Sequence, residues 1–530
     1  MKALKITLKI LLILLVFVSS VLLFSALCYS RVFGKGVGFS AVIYTLTAGV
    51  GTAEGGLIWK YILGAVLPSL LVASVCAVLL FKGKDLTVWI IGKIKLLIKK
   101  LSKKSDEAAD HPEENERKTA SSKLPAIILA VLIVLMIGMS CLFVYRAAVI
   151  MRFPEYIKQI GTKGTLYEEN YVDPKSANIT FPEKKRNLIY ILCESMETSF
   201  FSKDHYGAFD TEVIPELYEL AKNNINFSDN DSVGGWPYVK NTEWTIASII
   251  AQTSGVPYLS DSARNYSNYK NFLPGLTTIQ SVLHENGYYQ TMMVGSDGNF
   301  AGRNKYYLQH GADVFYDLKS AEDAKIIPEG YHVWWGMEDL HLFEFAKQEL
   351  LEISKKDRPF AFSLLTVDTH HVNGYKCELC GDEFEEQYEN VYACSSKQVT
   401  EFVKWIMEQD FYENTTIVVC GDHLSMDQQF FSRNVAPDYE RHVFNCIINS
   451  LATTDNTKNR VFAPMDMFPT TLAAIGCKIE GERLGLGTNL FSDVPTLSEK
   501  FGKEEYNNEL GKYSEYYNKN FIGDLELEAK

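Results

Sequence analysis

Three long apolar segments within the first 150 residues constrain this chain more than any other feature of its sequence. They run from about residue 6 to 28, 61 to 81 and 124 to 145, and each reaches the roughly 20 residues that a helix needs to cross a bilayer. The first segment has a long apolar core, and no small-x-small cleavage site precedes Arg31, so we interpret it as a retained span rather than a signal peptide. The sequence therefore predicts a membrane region over residues 1–150 with three transmembrane helices.

Lysines beside the first two spans predict the orientation of this region. Lys2, Lys5 and Lys9 precede the first span, and eight lysines lie between residues 82 and 104. Because such residues collect on the cytoplasmic side, the basic loop 82–123 should be cytoplasmic and everything after Arg146 should lie outside the cell. Residues 82–104 alternate lysines with large apolar side chains, which is typical of an amphipathic helix on the inner leaflet or of a simple basic anchor. The Gly-rich loop 34–59 could re-enter the membrane or lie on it.

The distribution of charge excludes one class of partner. The first 150 residues carry 18 Lys and Arg against 8 Asp and Glu, whereas the remainder carries 34 against 57, a net charge of −23. An acidic outer domain does not suit nucleic acid as a partner. It would not adhere to an anionic membrane either, so the spans must tether it; the acidity is also explained by solubility alone.

The remaining residues have the pattern of an α/β domain. After a polar acidic linker at 106–117 and a connecting segment at 151–183, we predict a globular domain over 184–495 and a polar C-terminal tail over 496–530. Short apolar runs predict strands at 188–192, 289–294, 360–367 and 416–420, and amphipathic runs predict helices at 215–223, 278–286 and 395–409. This alternation predicts a mostly parallel sheet flanked by helices, with ligands at the carboxyl ends of the strands.

Candidate metal ligands follow the predicted strands directly. Glu194 ends the run ILCE, Asp422 and His423 follow the run IVVCG, and His370 and His371 follow LLTVDT. Taken singly, each has an ordinary structural explanation as a helix first-turn acid, a turn residue or a surface histidine. Together, carboxylates and imidazole suit Mn²⁺ or Zn²⁺ better than Mg²⁺. Either histidine of the adjacent pair could donate to a phosphate oxygen or protonate a leaving alkoxide.

Two hydroxyls and one guanidinium extend this candidate site. Thr242 and Thr245 lie where VKNTEWTIASIIAQ enters a predicted helix, a place that favours both N-capping and phosphate binding. A metal that lowers the pKa of the hydroxyl would let one threonine attack phosphorus, and the residues alone leave both open. Arg303, in NFAGRNKYY, is either a clamp for a phosphodiester or an exposed surface charge.

Three cysteines form a separate group. Cys377-x-x-Cys380 and Cys394 flank a loop that would lie outside the cell, where two of them could form a disulfide that clamps residues 374–393. A zinc site would need a fourth ligand that the sequence does not identify, so we favour the disulfide. One cysteine would be left over, and spacing does not determine the pairing.

Taken together, the motifs of residues 184–493 resemble those of the phosphoglycerol transferases of the alkaline phosphatase/sulfatase superfamily. The resemblance rests on ILCES, NTEWTIAS with SGVP, FAGRNKYYLQHG, LTVDTHH, IVVCGDHL, MDMFPTTLAAIG and LGLGTNLFS, which occur in the family's order. The LTVDTHH and FAGR segments are more similar to the glucan-modifying glycerophosphotransferases than to the lipoteichoic acid synthases. Those synthases typically have five spans and a tryptophan where this chain has Ala301. The formylglycine sulfatase signature is absent around Thr242.

The resemblance implies roles for individual residues. It selects Thr242 over Thr245 as the nucleophile and makes Glu194, Asp422 and His423 metal ligands, with Thr242 completing the shell around Mn²⁺, or Mg²⁺ or Zn²⁺. It also implies that His370 and Arg303 contact glycerol phosphate; we add His371 as a substrate-binding residue and His370 as a catalytic one. The implied reaction moves glycerol phosphate from phosphatidylglycerol to a glycan or glycolipid acceptor outside a bacterial cell membrane. The alternatives are a phosphoethanolamine transferase, a lipoteichoic acid-type polymer synthase and a non-catalytic receptor.

Overall fold

The chain divides into two compact units. The computed structural model describes residues 2–33, 39, 59, 61–102, 114–259 and 270–523. One unit comprises the described residues up to Tyr156, and the other comprises those from Ile157 onward. The expectation for the loop 34–59 falls almost entirely outside the described residues, as does that for most of the linker 106–117.

The described residues of the first unit form three long helices, as the apolar segments predict. They are α1 (Lys2–Phe33), α2 (Leu67–Ser102), which a π-helical turn precedes at Ile62–Val66, and α3 (Glu114–Ile150). Each contains a stretch long and apolar enough to cross a membrane, at Ala3–Arg31, Ile62–Gly83 and Ala126–Ile150. The helices pack together through a small buried cluster formed by Val16, Cys76, Leu80 and Met136.

The basic segment after the second span is helical where the structure describes it. Helix α2 continues without a break through Ser102, and α3 already begins at Glu114. The helix considered for residues 82–104 is therefore present as far as Ser102, whereas the cytoplasmic position of residues 82–123 stays a prediction. Gly83 and Gly92 are the weakest helix formers of this segment, and no proline follows the span before Pro112. The lysine-rich segment extends the spanning helix instead of forming a separate one.

The second unit is built on a seven-stranded sheet whose order is β3-β8-β7-β2-β6-β4-β5. Its strands are β2 (Asn187–Cys193), β3 (Gly235–Trp236), β4 (Tyr289–Val294), β5 (Val314–Tyr316), β6 (Phe360–Leu365), β7 (Thr415–Gly421) and β8 (Val443–Ile448). The five strands β2 and β4–β7 are parallel, whereas β8 runs antiparallel to β7 and β3 antiparallel to β8. The mostly parallel sheet is confirmed.

Helices cover both faces of the sheet. They follow α4 (Phe153–Ile160), which spans the boundary between the units, and are α5 (Leu166–Asn170), α6 (Pro215–Lys222), α7 (Thr245–Ser254), α8 (Ile279–Glu285), α9 (Arg303–Gln309), α10 (Leu318–Asp323), α11 (Asp339–Ile353), α12 (Gln387–Met407), α13 (Gln428–Asn434), α14 (Met467–Ala474), α15 (Leu497–Phe501), α16 (Lys503–Leu510) and α17 (Glu515–Tyr517). Every residue of β2 and β7 is buried, and a separate apolar core lies on each face. Burial on both faces explains the continuous apolar runs in the sequence.

The segments on either side of the predicted domain belong to it. The connecting segment contributes β1 (Ile179–Thr180), which pairs with β9 (Lys478–Ile479), and Gly164 N–H donates to Tyr513 O. A short hairpin of β10 (Arg483–Leu484) and β11 (Gly487–Thr488) lies nearby in sequence. The predicted polar tail is wrong, because α15–α17 pack on the core through Leu497, Tyr506, Leu510, Tyr517 and Phe521. These few apolar residues are diluted by charged ones, so composition alone hides them.

Candidate active site

Adjacent parallel strands bring Glu194 and Asp422 together. Leu192 pairs with Cys420 and Cys193 with Gly421, so the next residue of each strand leaves the sheet at the same level. Residue 421 must be glycine because an added Cβ would lie 2.0 Å from Met196 O. Two carboxylates and the following His423 therefore meet at the carboxyl end of the sheet, where open α/β sheets bind ligands.

The three side chains form a tight, buried cluster. His423 Nε2 lies 3.5 Å from Glu194 Oε1 and 3.5 Å from Asp422 Oδ2. One donor atom from each residue lies within 4.8 Å of the other two, and all three residues are buried. Two carboxylates and an imidazole at this spacing form a donor set that fits Mn²⁺ or Zn²⁺.

Neighbouring groups aim the donor atoms of this cluster inward. Asp422 Oδ1 accepts the backbone N–H groups of Ser195 (2.6 Å) and His423 (2.8 Å). Its Oδ2 is buried and has no hydrogen-bond partner within the part of the chain that the structure describes. His423 Nδ1–H donates to Leu424 O at 2.8 Å, which leaves the lone pair of Nε2 facing the carboxylates. An orphaned carboxylate oxygen beside a fixed imidazole lone pair is the arrangement that a cation would complete.

The three groups shift each other's pKa. Burial and the charge of Glu194 raise the pKa of Asp422 to about 7. Burial alone would raise the pKa of Glu194 as well, but His370 and His423 lower it below its usual value. Burial would lower the pKa of His423, yet Asp422 and Glu194 together raise it. The cluster therefore retains a proton near neutral pH, and a divalent cation would displace it.

Thr245, and not Thr242, lies at this cluster. Thr245 Oγ1 donates to Glu194 Oε2 at 3.2 Å and lies 3.4 Å from His423 Nε2. Thr242 is buried, and its hydroxyl donates to Val239 O at 2.8 Å. The expectation that Thr242 completes the metal shell is therefore wrong in this structure. The physical reason is that Asn241 turns the chain with a φ of 65°, so that α7 begins four residues later, at Thr245.

A loop and a helix start place the other predicted residues beside the cluster. His370 is half-buried on the loop after β6, its Nδ1–H donates to His371 O at 2.8 Å, and the two imidazole rings stack with centroids 4.4 Å apart. Burial lowers the pKa of His370, which the charge of Glu194 partly offsets and which His423 and Arg303 lower further. Glu194, His423 and Arg303 are thus all within electrostatic reach of His370.

Arg303 is a buried residue rather than an exposed surface charge. It is the first residue of α9 and donates from Nη2 to Ser296 Oγ (2.9 Å) and Asp297 O (2.8 Å). Its guanidinium carbon lies 5.5 Å from the ring centroid of Phe300. These contacts fix the guanidinium in one orientation.

Trp335 is a residue of the site that the sequence reasoning missed. Its ring centroid lies 4.5 Å from that of His370 and 5.6 Å from that of Phe300. Trp335 therefore contacts both His370 and Phe300, the ring that lies against the Arg303 guanidinium. The WW pair in HVWWGMEDL, between two predicted elements, is the signal that could have indicated it.

The three cysteines also converge, but not as one disulfide pair. Cys377 Sγ lies 3.6 Å from Cys380 Sγ and 3.8 Å from Cys394 Sγ, and all three are free thiols. The disulfide favoured by the sequence is not formed in this structure. The cause is geometric, since the C-x-x-C turn and α12 present all three sulfurs to one point.

A third cluster of possible ligands is occupied by a lysine. Asp229 Oδ2 lies 3.0 Å from His442 Nε2 and 2.8 Å from Lys503 Nζ, and Glu440 Oε2 lies 2.7 Å from the same Lys503 nitrogen. The ammonium group already supplies the positive charge that a metal would bring. This cluster is therefore an ion-pair network and not a metal site.

The Sulfatase family profile matches residues 186–477, the part of the chain that holds the sheet, Glu194, Thr245, Asp422 and His423. The chain belongs to the sulfatase family. Among similar proteins, the phosphoglycerol transferase I of Citrobacter koseri is 29% identical over 260 residues, which cover 48% of this chain and 33% of that protein. The Escherichia coli protein of the same name is 28% identical over the same length and coverage. This chain thus matches about a third of the length of these relatives.

Two solved structures to which the chain is similar are a synthase and an integral membrane transferase by name. The lipoteichoic acid synthase LtaP of Listeria monocytogenes is 19% identical with a TM-score of 0.46, covering 60% of this chain and 79% of that one. The lipooligosaccharide phosphoethanolamine transferase A of Neisseria meningitidis is 13% identical with a TM-score of 0.49, covering 89% and 84%. The family assignment confirms the alkaline phosphatase-like α/β fold expected from the sequence motifs.

Proposed function

We propose that this protein is a membrane-anchored phosphotransferase that moves glycerol phosphate from phosphatidylglycerol to a glycan or glycolipid acceptor. The observation that carries the proposal is the position of the Thr245 hydroxyl, which contacts both Glu194 and His423 at the first residue of a helix. The name of the sequence relatives, phosphoglycerol transferase I, supports glycerol phosphate as the group transferred. Phosphatidylglycerol is the lipid that would present this group at a membrane surface.

Glu194, Asp422 and His423 would hold one divalent cation, with Thr245 Oγ1 as a further ligand. The imidazole favours Mn²⁺ over Mg²⁺, and Zn²⁺ remains the alternative. When bound, such a cation supplies Lewis acidity for a phosphate oxygen and lowers the pKa of the threonine hydroxyl. The unpartnered Asp422 Oδ2 and the inward lone pair of His423 support this assignment.

Thr245 would act as the nucleophile in the first half of the reaction. Its hydroxyl proton points to Glu194 Oε2, 3.2 Å away, which orients an Oγ1 lone pair towards the incoming phosphorus. As Glu194 Oε2 takes the hydroxyl proton, a bond forms between Oγ1 and phosphorus, and the bond between phosphorus and the diacylglycerol oxygen breaks; the proton returns to Oγ1 when the acceptor displaces it. No side chain caps the N-terminus of α7, so its first N–H groups are available to the phosphate oxygens.

His370 would give a proton to the leaving diacylglycerol oxygen and take one from the attacking acceptor hydroxyl. Because Nδ1–H is held by His371 O, any proton exchanged with substrate must sit on Nε2. The imidazolium donates that proton to the departing diacylglycerol oxygen, and the neutral ring then accepts a proton from the acceptor hydroxyl. The acceptor oxygen attacks phosphorus, the bond to Thr245 Oγ1 breaks, and the enzyme is regenerated.

Arg303 and His371 would bind the substrate's phosphate and glycerol groups. Arg303 is fixed by Ser296 and Asp297 and contributes its charge to the surroundings of His370. A fixed guanidinium offsets the negative charge of a phosphodiester without the entropy loss of a mobile side chain. His371 stacks on His370 and would line the same side of the site.

The three apolar helices would tether the reaction to a bacterial cell membrane. The globular unit follows α3 closely along the chain, since α4 begins at Phe153. Together with the lysine distribution, this supports an extracytoplasmic catalytic domain whose lipid substrate is supplied by the membrane itself.

A pair of threonine variants tests the nucleophile directly. In purified full-length protein, Thr245→Ala should lower diacylglycerol release from labelled phosphatidylglycerol by about 10⁴-fold, because a nucleophile is removed. Thr242→Ala is the matched control and should keep most of the activity, since its hydroxyl only bonds to Val239 O. Mass spectrometry without acceptor should find a glycerophosphoryl group on the peptide that contains Thr245. Loss of activity in Thr242→Ala alone would refute the assignment.

Supplying phosphatidylethanolamine in place of phosphatidylglycerol tests the donor lipid. We expect diacylglycerol release from phosphatidylglycerol only. Turnover of phosphatidylethanolamine alone would identify a phosphoethanolamine transferase with the same nucleophile, and turnover of neither lipid would favour a receptor.

A further inference from the structure

A second donor cluster lies outside the proposed catalytic machinery. Cys377 and Cys380 belong to the long connection between β6 and α12, and Cys394 lies on α12 itself. All three sulfur atoms lie within 4.8 Å of one another. Cys377 and Cys394 are buried, whereas Cys380 is half-exposed, so the cluster opens to one side.

The sulfur separations match those of a metal-thiolate centre. A tetrahedral zinc ion with Zn–S bonds of about 2.3 Å holds any two of its sulfurs about 3.8 Å apart. The separations from Cys377 Sγ are 3.6 Å to Cys380 Sγ and 3.8 Å to Cys394 Sγ. A disulfide would use two of these sulfurs and leave the third as a buried or half-buried thiol, whereas one ion uses all three.

A side-chain amide lies beside two of the three sulfurs. Gln398 Nε2 lies 3.4 Å from Cys394 Sγ and 3.8 Å from Cys377 Sγ, one helical turn after Cys394. Donors to the sulfurs of a metal centre orient the ligands and spread their negative charge.

We propose that Cys377, Cys380 and Cys394 bind one thiophilic divalent cation such as zinc. Water would occupy the fourth position, on the side of Cys380. The ion would fasten the connection after β6 to α12. That connection also carries His370 and His371, and it is otherwise held by hydrogen bonds such as Thr369 Oγ1–H to Glu194 O and Asn373 N–H to Asp427 Oδ2 at 2.8 Å. The proposed centre is therefore a structural one that holds the connection carrying His370 and His371.

The test separates this centre from the carboxylate cluster by its ligands. Full-length Asp422→Asn protein in detergent weakens the first cluster and so leaves the thiol cluster as the main metal site. Its bound zinc should show sulfur neighbours at about 2.3 Å in X-ray absorption. Reconstitution with cobalt should give a sulfur-to-metal charge-transfer band. Neither readout depends on catalytic activity, so the result stands whether or not the proposed function is right.

Cysteine variants complete the experiment. Cys380→Ser, at the half-exposed position, should abolish the charge-transfer band and lower bound zinc by about one equivalent per chain, because two thiolates bind zinc weakly. Cys477→Ser, at a buried cysteine outside the cluster, is the control and should change neither. A thermal unfolding curve for each variant shows that it is folded.

Two results would overturn the proposal. The first is recovery of any two of Cys377, Cys380 and Cys394 as a disulfide in peptides alkylated without reductant. The second is folded Asp422→Asn protein that binds neither zinc nor cobalt through sulfur.

Discussion

The candidate site has two halves that are held in different ways. The strand-end half comprises Glu194, Thr245, Asp422 and His423, and the loop half comprises Arg303, Trp335, His370 and His371. In the strand-end half, backbone N–H groups of buried strand ends fix the carboxylate, as at Asp422 Oδ1. In the loop half, half-buried rings contact one another, and individual hydrogen bonds hold the loop, such as those of Thr369 to Glu194 O and of Asn373 to Asp427.

This difference predicts a division of labour. Groups on parallel strand ends cannot move without disturbing the sheet, which suits the binding of a small ion at fixed distances. Groups on a loop can adapt to a bulky lipid headgroup and then to an acceptor of another shape. Substitutions in the strand-end half should therefore abolish turnover, whereas substitutions in the loop half should lower the rate or shift its pH dependence.

The largest effect is expected from removing one charge in the strand-end half. Asp422→Asn keeps the shape and can still accept the N–H groups of Ser195 and His423, but the anionic oxygen is lost. We expect turnover to fall by about 10³-fold and manganese affinity by at least about 100-fold, measured by kinetics and calorimetry. Asp229→Asn, in the cluster that Lys503 occupies, is the control and should leave the affinity unchanged. Equal losses in both variants would contradict the distinction.

The pH dependence of metal affinity is a second test of the strand-end half. Asp422, with its pKa raised to about 7, and His423, whose pKa is also raised, must lose their protons before they bind a cation. Affinity should therefore fall as the pH drops below about 7, by roughly tenfold per pH unit for each proton displaced. Titrations with Mn²⁺ at several pH values measure this slope. An affinity independent of pH between about 5 and 8 would show that neither group is a ligand.

The sequence indicated three of the four residues in each half and missed one in each, Thr245 and Trp335. Glu194, Asp422 and His423 could be found because an apolar run followed by a ligand-type residue marks the end of a buried parallel strand. The start of α7 depended on a left-handed residue, Asn241, so the choice between Thr242 and Thr245 needed coordinates. Trp335 lies in an irregular segment, where neither the spacing of apolar residues nor a family motif predicts its contact with His370.

A smaller effect is expected from loosening the loop half at a distance. Cys394→Ser should reduce turnover by about tenfold, because the connection that carries His370 loses its fastening to α12. Manganese affinity at Glu194, Asp422 and His423 should stay within about twofold, since β2 and β7 are unaffected. Steady-state kinetics and a metal titration on the same preparation measure both values. Loss of manganese binding together with turnover would show that the halves are not independent.

The smallest effect, and the most diagnostic of the loop half, concerns Trp335. Burial lowers the pKa of His370, and the Trp335 ring provides part of that burial from 4.5 Å away. In Trp335→Ala, water would reach the imidazole and its pKa would rise towards the usual value. Diacylglycerol release needs the imidazolium, so the loss of activity with rising pH should move to higher pH, with only a few-fold change in maximal rate.

Trp335→Phe is the matched control for this shift, because it keeps an aromatic ring over His370. Its pH profile should resemble that of the unchanged protein. If Trp335→Ala instead lowered the rate equally at every pH, the tryptophan would act by holding substrate and not by setting the protonation of His370. The loop half would then differ from the strand-end half in what it binds, and the proton would have to come from another group.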